Sequence, residues 1–321
     1  MAKSIEEIRE YIDEVLDSGE VSAEFYREYG EFMTSEQIDK AIDKGVALWD
    51  LYRYAGKNFS SEQIDKAIEL GKGSWALYKY VGSRFTSEQI DKAIEVGKEL
   101  DYLYQYVGAK FTSENIDKAL RRGKYLDFLY KYAGGEFTSK HINKALEIGK
   151  DLWALYKYVG DRFDRFTPEQ IDKAIETSKG SWALYKYVGD RLTSEQIDKA
   201  IELGEDLGDL YEYLGDRLTS EQIDKAIELG KGLDALYKYV GERFTPEQID
   251  KAIELGKGLD ALYKYVGERF TPEQKRRFRD IKRKEVMKYY PQVEYMDYPT
   301  YKVDKFIDAL KIIRQDMLEG R

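Results

Sequence analysis

The residues of this chain best equipped for chemistry are four tryptophans, nine Leu-Tyr pairs and a row of lysines, and the chemistry they suit is recognition. Trp49, Trp75, Trp153 and Trp182 each stand three residues before the tyrosine of a Leu-Tyr pair, namely Tyr52, Tyr78, Tyr156 and Tyr185. On a helix that spacing makes neighbours of the two rings, and a cation follows each tyrosine: Arg53, Lys79, Lys157 and Lys186. Tryptophan and tyrosine bury much area at small entropic cost, which is why recognition surfaces use them. These eight aromatics are the candidate partner-binding residues, with a second reading open for the tyrosines, that they pack between repeats with their hydroxyls at the rim. Catalytic apparatus is sparse by comparison. The chain has no cysteine and one histidine, which excludes disulfides, thiolate ligands and cysteine nucleophiles and disfavours imidazole chemistry. His141 occupies a helix-start position that carries Gln in sister segments, so it reads as a capping variant. Recurrent Asp-Lys pairs such as Asp65-Lys66 and Asp250-Lys251 offer one carboxylate per helix, the pattern of a solvated face. The Gly-Lys-Gly stretches follow no strand and lead into no Gly-Lys-Ser/Thr, which excludes a P-loop. The reading is a non-enzymatic chain without cofactor or metal.

Positioning these residues is the task of an internal repeat. The Leu-Tyr tyrosines fall every 26 residues from Tyr52 to Tyr263, with one step of 29 between Tyr156 and Tyr185 that places three extra residues near Arg162-Phe163-Asp164-Arg165. Each unit reads as two short helices. The first opens on Thr-Ser-Glu-Gln or Thr-Pro-Glu-Gln, a capping box with proline at the first helical position in Pro168, Pro246 and Pro272. A hydrophobic staple is expected between the residue before the Thr and the Ile at the fourth helical position, as in Phe85 and Ile90. A glycine such as Gly71 or Gly230 supplies a left-handed stop. The second helix carries Leu-Tyr-x-Tyr-Val and ends at another glycine, from Gly56 to Gly267. Helices this short are marginal alone, so they must stack on their neighbours. The expected fold is all-α, an α-solenoid of tandem 26-residue two-helix repeats, continuous rather than split into two independent domains.

The pattern resembles the broad class of two-helix solenoids that includes tetratricopeptide and HEAT repeats, in its short paired helices and glycine-marked turns. The resemblance concerns architecture, and no functional residue is carried over from those families.

Three segments follow from the pattern: a degenerate capping repeat over 1–32, nine tandem repeats over 33–269, and a C-terminal part over 270–321. The last begins with a basic helix and is expected to end in an amphipathic capping helix over 301–318, striped by Val303, Phe306, Ile307, Leu310, Ile313 and Met317. Net charge is −9, yet residues 275–288 hold eight cations, Lys275, Arg276, Arg277, Arg279, Lys282, Arg283, Lys284 and Lys288, against Asp280 and Glu285. The first 20 residues are acidic, with Glu6, Glu7, Glu10, Asp13, Glu14, Asp17 and Glu20 against Lys3 and Arg9. Three readings of the basic tail remain open: a soluble cap, a phosphate or nucleic-acid contact, and head-to-tail association with the acidic start.

Sister repeats also show which positions the fold leaves free. The residue three before the ladder tyrosine runs Trp49, Trp75, Asp101, Asp127, Trp153, Trp182, Gly208, Asp234, Asp260. No buried site accepts Trp, Asp and Gly alike, so this column is expected at the surface, whereas Leu236, Tyr239 and Val240 and their equivalents read as core. The expected function is a scaffold binding a protein or peptide along an extended concave face lined by Trp, Tyr and Lys. The alternative is single-stranded nucleic acid, with ladder tyrosines stacking bases and Lys79, Lys131, Lys157, Lys186, Lys238 and Lys264 meeting phosphates. Nothing apolar enough for a membrane span or secretory signal is present, which suggests a cytoplasmic protein.

Overall fold

A computed structural model describes residues 4–160, 166–177 and 180–289, with side chains to 285. The expected C-terminal helix over 301–318, the extra loop residues 162–165 and the side chain of Lys288 lie outside the described residues. Every regular element among the described residues is helical, in an alternation of two helix types. First helices of the tandem repeats have ten residues, as in Ser61–Leu70, Ser87–Val96 and Pro246–Leu255; second helices have seven or eight, as in Ser74–Tyr80, Leu100–Val107 and Leu259–Val266, except that Leu152–Leu155 runs into a π turn over Tyr156–Gly160. The chain separates into two compact units, residues 1–218 and 219–321. In each, first helices of successive repeats lie side by side, and so do second helices, forming two layers. The fold is the helical-repeat solenoid read from the sequence. Its degenerate first repeat comprises Ile5–Ser18 and Ala23–Tyr29, and its last described helix is Pro272–Tyr289.

Local signals act as expected at the first helix. Thr86 Oγ1 accepts from the Gln89 backbone N–H at 3.3 Å, and the Thr86 N–H donates to Gln89 Oε1 at 3.0 Å. Gly97, at φ 72°, closes the helix. Phe85 and Ile90 are buried together with Ala93 and Ile94. His141 fills the Gln role: its Nδ1 accepts from the Thr138 N–H at 3.0 Å, which leaves the proton on Nε2 for Ser113 Oγ at 3.0 Å. Burial lowers its pKa, so it is a neutral core residue.

The glycine ending each second helix has a different cause from the one the sequence suggests. Gly108 is right-handed, at φ −53°, and opens a short 3-10 turn to Lys110. Equivalent positions exclude a side chain because of their neighbours: a Cβ on Gly56 would lie 2.6 Å from Val81 Cγ2, and one on Gly82 2.6 Å from Val107 Cγ2. Close approach of the next repeat, not backbone handedness, fixes these glycines.

Four kinds of polar rung link repeats within each unit, though not every junction has all four. Gln89 Nε2 donates 3.0 Å to the Ser61 carbonyl of the preceding first helix, so one buried side chain both caps its own helix and binds its neighbour. Arg84 donates to the Gly56 and Phe59 carbonyls at 2.7 and 2.5 Å, and Arg269 to those of Gly241 and Phe244 at 2.6 Å each. Lysines bridge carboxylates one repeat back: Lys92 reaches Asp65 at 3.5 Å and Glu69 at 2.5 Å, and Lys251 reaches Asp224 at 3.2 Å and Glu228 at 2.7 Å. The last rung is the ladder tyrosine. Tyr52 donates to the Lys72 carbonyl at 3.2 Å, Tyr78 to Lys98 at 3.0 Å and Tyr237 to Lys257 at 3.3 Å.

Tyr104 is buried to the same degree, but its hydroxyl has no partner. Removing that hydroxyl removes a desolvated group and no bond. Tyr78→Phe is therefore expected to cost about 1 kcal/mol in chemical denaturation, and Tyr104→Phe to be neutral or slightly stabilising. Equal losses at both positions would contradict the rung assignment.

Candidate partner-binding surface

The tryptophan column lies where the sequence places it relative to solvent. Trp49, Trp153 and Trp182 are 41, 37 and 39% exposed, and Trp75 is half-buried. Asp101 and Asp127 of the same column are half-buried, while Gly208, Asp234 and Asp260 are exposed. The tyrosines assigned to the same stripe require correction. Tyr52, Tyr78, Tyr156 and Tyr185 are between 0 and 3% exposed, and the first three set their rings against the aromatic that leads into the next first helix, as Tyr78 packs edge-on against Phe85 at 6.1 Å. Burial pushes the Tyr78 and Tyr185 phenols up to about 12. Residues three apart on a helix are displaced by about 60° around its axis. Here that angle spans the edge of the buried face, with tyrosine inside and tryptophan outside. Only the last ladder tyrosine, Tyr263, is exposed; it stacks on Phe278 at 5.2 Å.

The second tyrosine of Leu-Tyr-x-Tyr takes the surface role instead. Tyr80, Tyr132, Tyr158 and Tyr239 are half-buried and Tyr106 and Tyr213 are 37% exposed, although the near-constancy of this position suggests core. Leu236 and Val240, four apart, hold the centre of the buried stripe, and Tyr239 falls at its rim. Where the residue between the two tyrosines is a cation, it lies on these rings; Gln105 and Glu212 take its place in two repeats. Lys79 Nζ is 5.3 Å from the Tyr80 centroid and 6.0 Å from that of Tyr106 in the next repeat; Arg53 bridges Tyr54 and Tyr80 at 5.1 and 5.8 Å, and Lys186 bridges Tyr187 and Tyr213 at 5.7 and 5.5 Å. Such cation–π contacts pre-order long side chains that otherwise lose entropy on binding.

Beside this row runs an aromatic ribbon confined to the unit over 1–218. Trp49 and Trp75 lie 6.4 Å apart and 22° from parallel, Trp75 and Tyr102 6.3 Å apart, and Tyr102 and Tyr106 6.4 Å apart at 11°. In the next two repeats Phe128 with Tyr132 and Trp153 with Tyr158 form further ring pairs, each within its own repeat. Tyr102 is 38% exposed. It and Phe128 belong to the next column, which reads Asp50, Ala76, Tyr102, Phe128, Ala154, Ala183, Asp209, Ala235, Ala261. That mixture was the available signal for both residues. Where the tryptophan column holds Asp101 and Asp127, this neighbouring column supplies the aromatic instead.

Carboxylates from the loops anchor the ribbon. Glu99 accepts the Trp75 backbone N–H at 2.6 Å and Asp206 that of Trp182 at 3.2 Å, each capping a second helix of the preceding repeat. Both have positive φ, 47° and 48°, as do Ala47, Tyr125 and Asp151, at a position where Gly73, Gly180, Gly232 and Gly258 avoid the strain. A non-glycine residue there costs about 1–2 kcal/mol, and for Glu99 and Asp206 the cap offsets it. Among the described residues no group of His, Asp and Glu has the geometry of a metal site, and no helix is long and apolar enough to cross a membrane. The basic tail residues divide: Arg277 pairs back with Asp250 and Glu254, and Lys282 with Asp260 and Glu285, whereas Lys275, Arg276, Arg283 and Lys284 are exposed. No family model, characterised protein or solved structure matches the chain.

At the N-terminal end of the ribbon, Asp50 is 1% exposed, and neither carboxylate oxygen has a hydrogen-bond partner. Burial raises its pKa against the fields of Arg27 and Arg53. Arg27 instead donates to Tyr54 Oη at 3.3 Å, and Arg53 lies over the Tyr54 ring. Sister repeats hold fully buried Ala76, Ala154 and Ala183 here. Asp50→Ala is therefore expected to stabilise the fold by about 1–3 kcal/mol at neutral pH. Because the native pKa is raised, the cost of the carboxylate is fully present above that value and fades as pH falls through it. Denaturation midpoints of wild type and variant should thus converge in acid; a constant gap would count against this account.

Proposed function

We propose that this chain is a non-enzymatic scaffold that binds a protein or peptide partner along the ribbon Trp49–Trp75–Tyr102–Tyr106 and its continuation through Phe128, Trp153 and Trp182. The observation carrying this reading is the run of surface aromatics Trp49, half-buried Trp75 and Tyr102, in centroid contact across three consecutive repeats, with Tyr106 stacked on Tyr102 in the same helix. Singly exposed apolar residues are ordinary, but a contiguous aromatic patch on rigid helices is a recognition feature. Its flanks suit a polypeptide. The Lys–Tyr row offers pre-ordered cations, and Asp101, Asp127 and Asp151 offer carboxylates, so backbone carbonyls and side chains of either sign find complements.

Eight of the nine ladder tyrosines are buried and cannot stack bases, which weakens the case for single-stranded nucleic acid as ligand. What remains for that reading is the half-exposed Tyr–Lys row. The test uses affinity capture from the native source, followed by titration of the captured partner against intrinsic fluorescence, since all four tryptophans lie in this one column. Trp153→Ala/Trp182→Ala and Trp49→Ala/Trp75→Ala should each keep helicity and Tm nearly unchanged while weakening binding about tenfold or more. Capture unaffected by both pairs would remove the ribbon as the binding surface. Low-salt retention of an oligonucleotide that persists in these variants would favour the Tyr–Lys row and a nucleic acid.

A further inference from the structure

Polar links are unevenly placed at one junction, that between the repeat of Ser87–Val96 and Leu100–Val107 and the repeat of Ser113–Arg122 and Leu126–Ala133. Its layer of first helices is densely bonded. Asn115 Nδ2 donates to the Ser87 carbonyl at 3.0 Å and to Asp91 Oδ1 at 2.7 Å, and Ser87 Oγ lies 3.2 Å from Thr112 Oγ1. Lys118 reaches Asp91 at 3.5 Å and Glu95 at 2.5 Å, and Arg122 donates to the Glu95 carbonyl at 2.9 Å. The layer of second helices is different.

There, a particular residue removes each link that neighbouring junctions use. Tyr52 and Tyr78 donate to the loop of the next repeat, but the Tyr104 hydroxyl is buried without a partner. Arg84 and Lys110 donate to carbonyls of the preceding repeat, and Glu136, exposed in the same column, is an acceptor only. Arg53 and Lys79 each bridge a tyrosine of their own repeat to one of the next, and Gln105 holds that position here. Glu99 caps the second helix before it, whereas Tyr125, at the same left-handed loop position, carries no carboxylate. Ring contacts stop at the same place. Trp49 with Trp75 and Trp75 with Tyr102 cross the two preceding junctions, and among the described residues no centroid contact crosses this one. What remains is the packing of Leu103, Tyr104 and Val107 with Leu126, Leu129 and Ala133, and apolar contact is non-directional.

We propose that this junction is a hinge, pinned along its first helices and able to open between its second helices. A contact bonded along one edge rotates about that edge at lower cost than a contact bonded along both. The fold does not require the residues responsible. Glu136 and Tyr125 are exposed and Gln105 is half-buried, and sister repeats hold Arg, Gly and Lys in their places. Opening separates Tyr102 and Tyr106 from Phe128 and Tyr132, so the hinge divides the ribbon proposed to bind a partner. The motion belongs to the chain alone and stands or falls independently of any partner.

Double electron–electron resonance on the full chain tests this. The sequence has no cysteine, so nitroxide labels attach only where one is introduced. Ser83→Cys/Lys131→Cys places labels in the second-helix layer two repeats apart, on either side of the hinge, and Lys57→Cys/Gln105→Cys uses the equivalent positions one repeat earlier. Glu62→Cys/Glu114→Cys spans the hinge on the first helices. The Ser83/Lys131 distance distribution should be about twice as wide as the other two, with an added component at longer distance. Adding Gln105→Lys/Glu136→Arg, the residues of sister repeats, should narrow it to the Lys57/Gln105 width while leaving circular dichroism unchanged. Should that variant fold poorly, Glu136→Arg alone should narrow it in part. Equal widths for the three pairs overturn the proposal. So does a Glu62/Glu114 pair as broad as Ser83/Lys131, because the whole junction would then be loose rather than hinged. A Ser83/Lys131 width unmoved by the installed Lys and Arg also overturns it, since the missing links would not be the cause. Failure to capture a partner would bear on the ribbon and leave each of these outcomes as decisive as before.

Discussion

The structure depends on how a helix of seven to ten residues is held in place when its own backbone bonds cannot do so. Nucleation costs of short helices are met in this chain by polar side chains that leave their own repeat and end on backbone carbonyls of the adjacent one. Those carbonyls belong largely to loops and helix termini, where no intrahelical donor is available. Burying such loops would ordinarily be unfavourable. With Gln, Arg and Tyr supplying donors at fixed offsets of 28, 25 to 28 and 20 residues, junctions such as that between the repeats of Ser61 and Gln89 satisfy groups that an isolated repeat would leave open. The hydrophobic layer between Ile90, Ala93 and Ile94 and Leu103, Tyr104 and Val107 supplies the bulk of the burial, while the rungs fix the spacing at which that burial occurs.

Fixed spacing explains why some positions never vary and others vary without limit. Gly56 and Gly82 meet valine methyl groups of the next repeat at distances no Cβ would tolerate, so the interval between second helices is set by steric exclusion as well as by hydrogen bonds. Once that interval is set, the exposed column and its neighbour are free to hold Trp, Asp, Gly, Tyr or Ala. A rigid lattice with free positions can display aromatics at controlled separation, as the 6.3 and 6.4 Å centroid distances along the ribbon show. Packing and surface display are thereby assigned to different residues of the same short helix.

Much of this was legible in the sequence because the information is repeated. Capping boxes, glycine stops, helix pairing and the exposure of the tryptophan column follow from local chemistry that nine copies restate. Harder to read were properties set by the edge of a buried face. Tyr78 and Tyr80 differ by two residues and are both nearly constant, yet one is sealed and the other at the surface; constancy within repeats reports packing against a neighbour as well as burial. The glycines after the second helices were legible as stops but not as close approaches, since a clash with Val81 or Val107 requires knowing which repeat lies alongside. Asp50 is illegible for a related reason. In a column that also contains Tyr102 and Phe128 a carboxylate looks like a surface residue, and only the particular neighbours of the first repeat bury it.

Departures from the repeat carry the remaining meaning, and they fall into two kinds. Some are costs: an unpartnered carboxylate at Asp50, left-handed strain at Tyr125, a lone hydroxyl at Tyr104. A sequence under selection for stability alone could remove them by copying its own sister repeats, which already hold Ala, Gly or a bonded Tyr at the same positions. Others come with a local return, as where Glu99 and Asp206 adopt left-handed conformations and in doing so cap the helices that carry Trp75 and Trp182. Near-identical repeats such as 219–244 and 245–270 offer neither kind, and no tryptophan occurs in them. Strain and variation therefore concentrate in the unit that carries the aromatic ribbon, and strain of this kind is retained where something other than folding stability sets the residue.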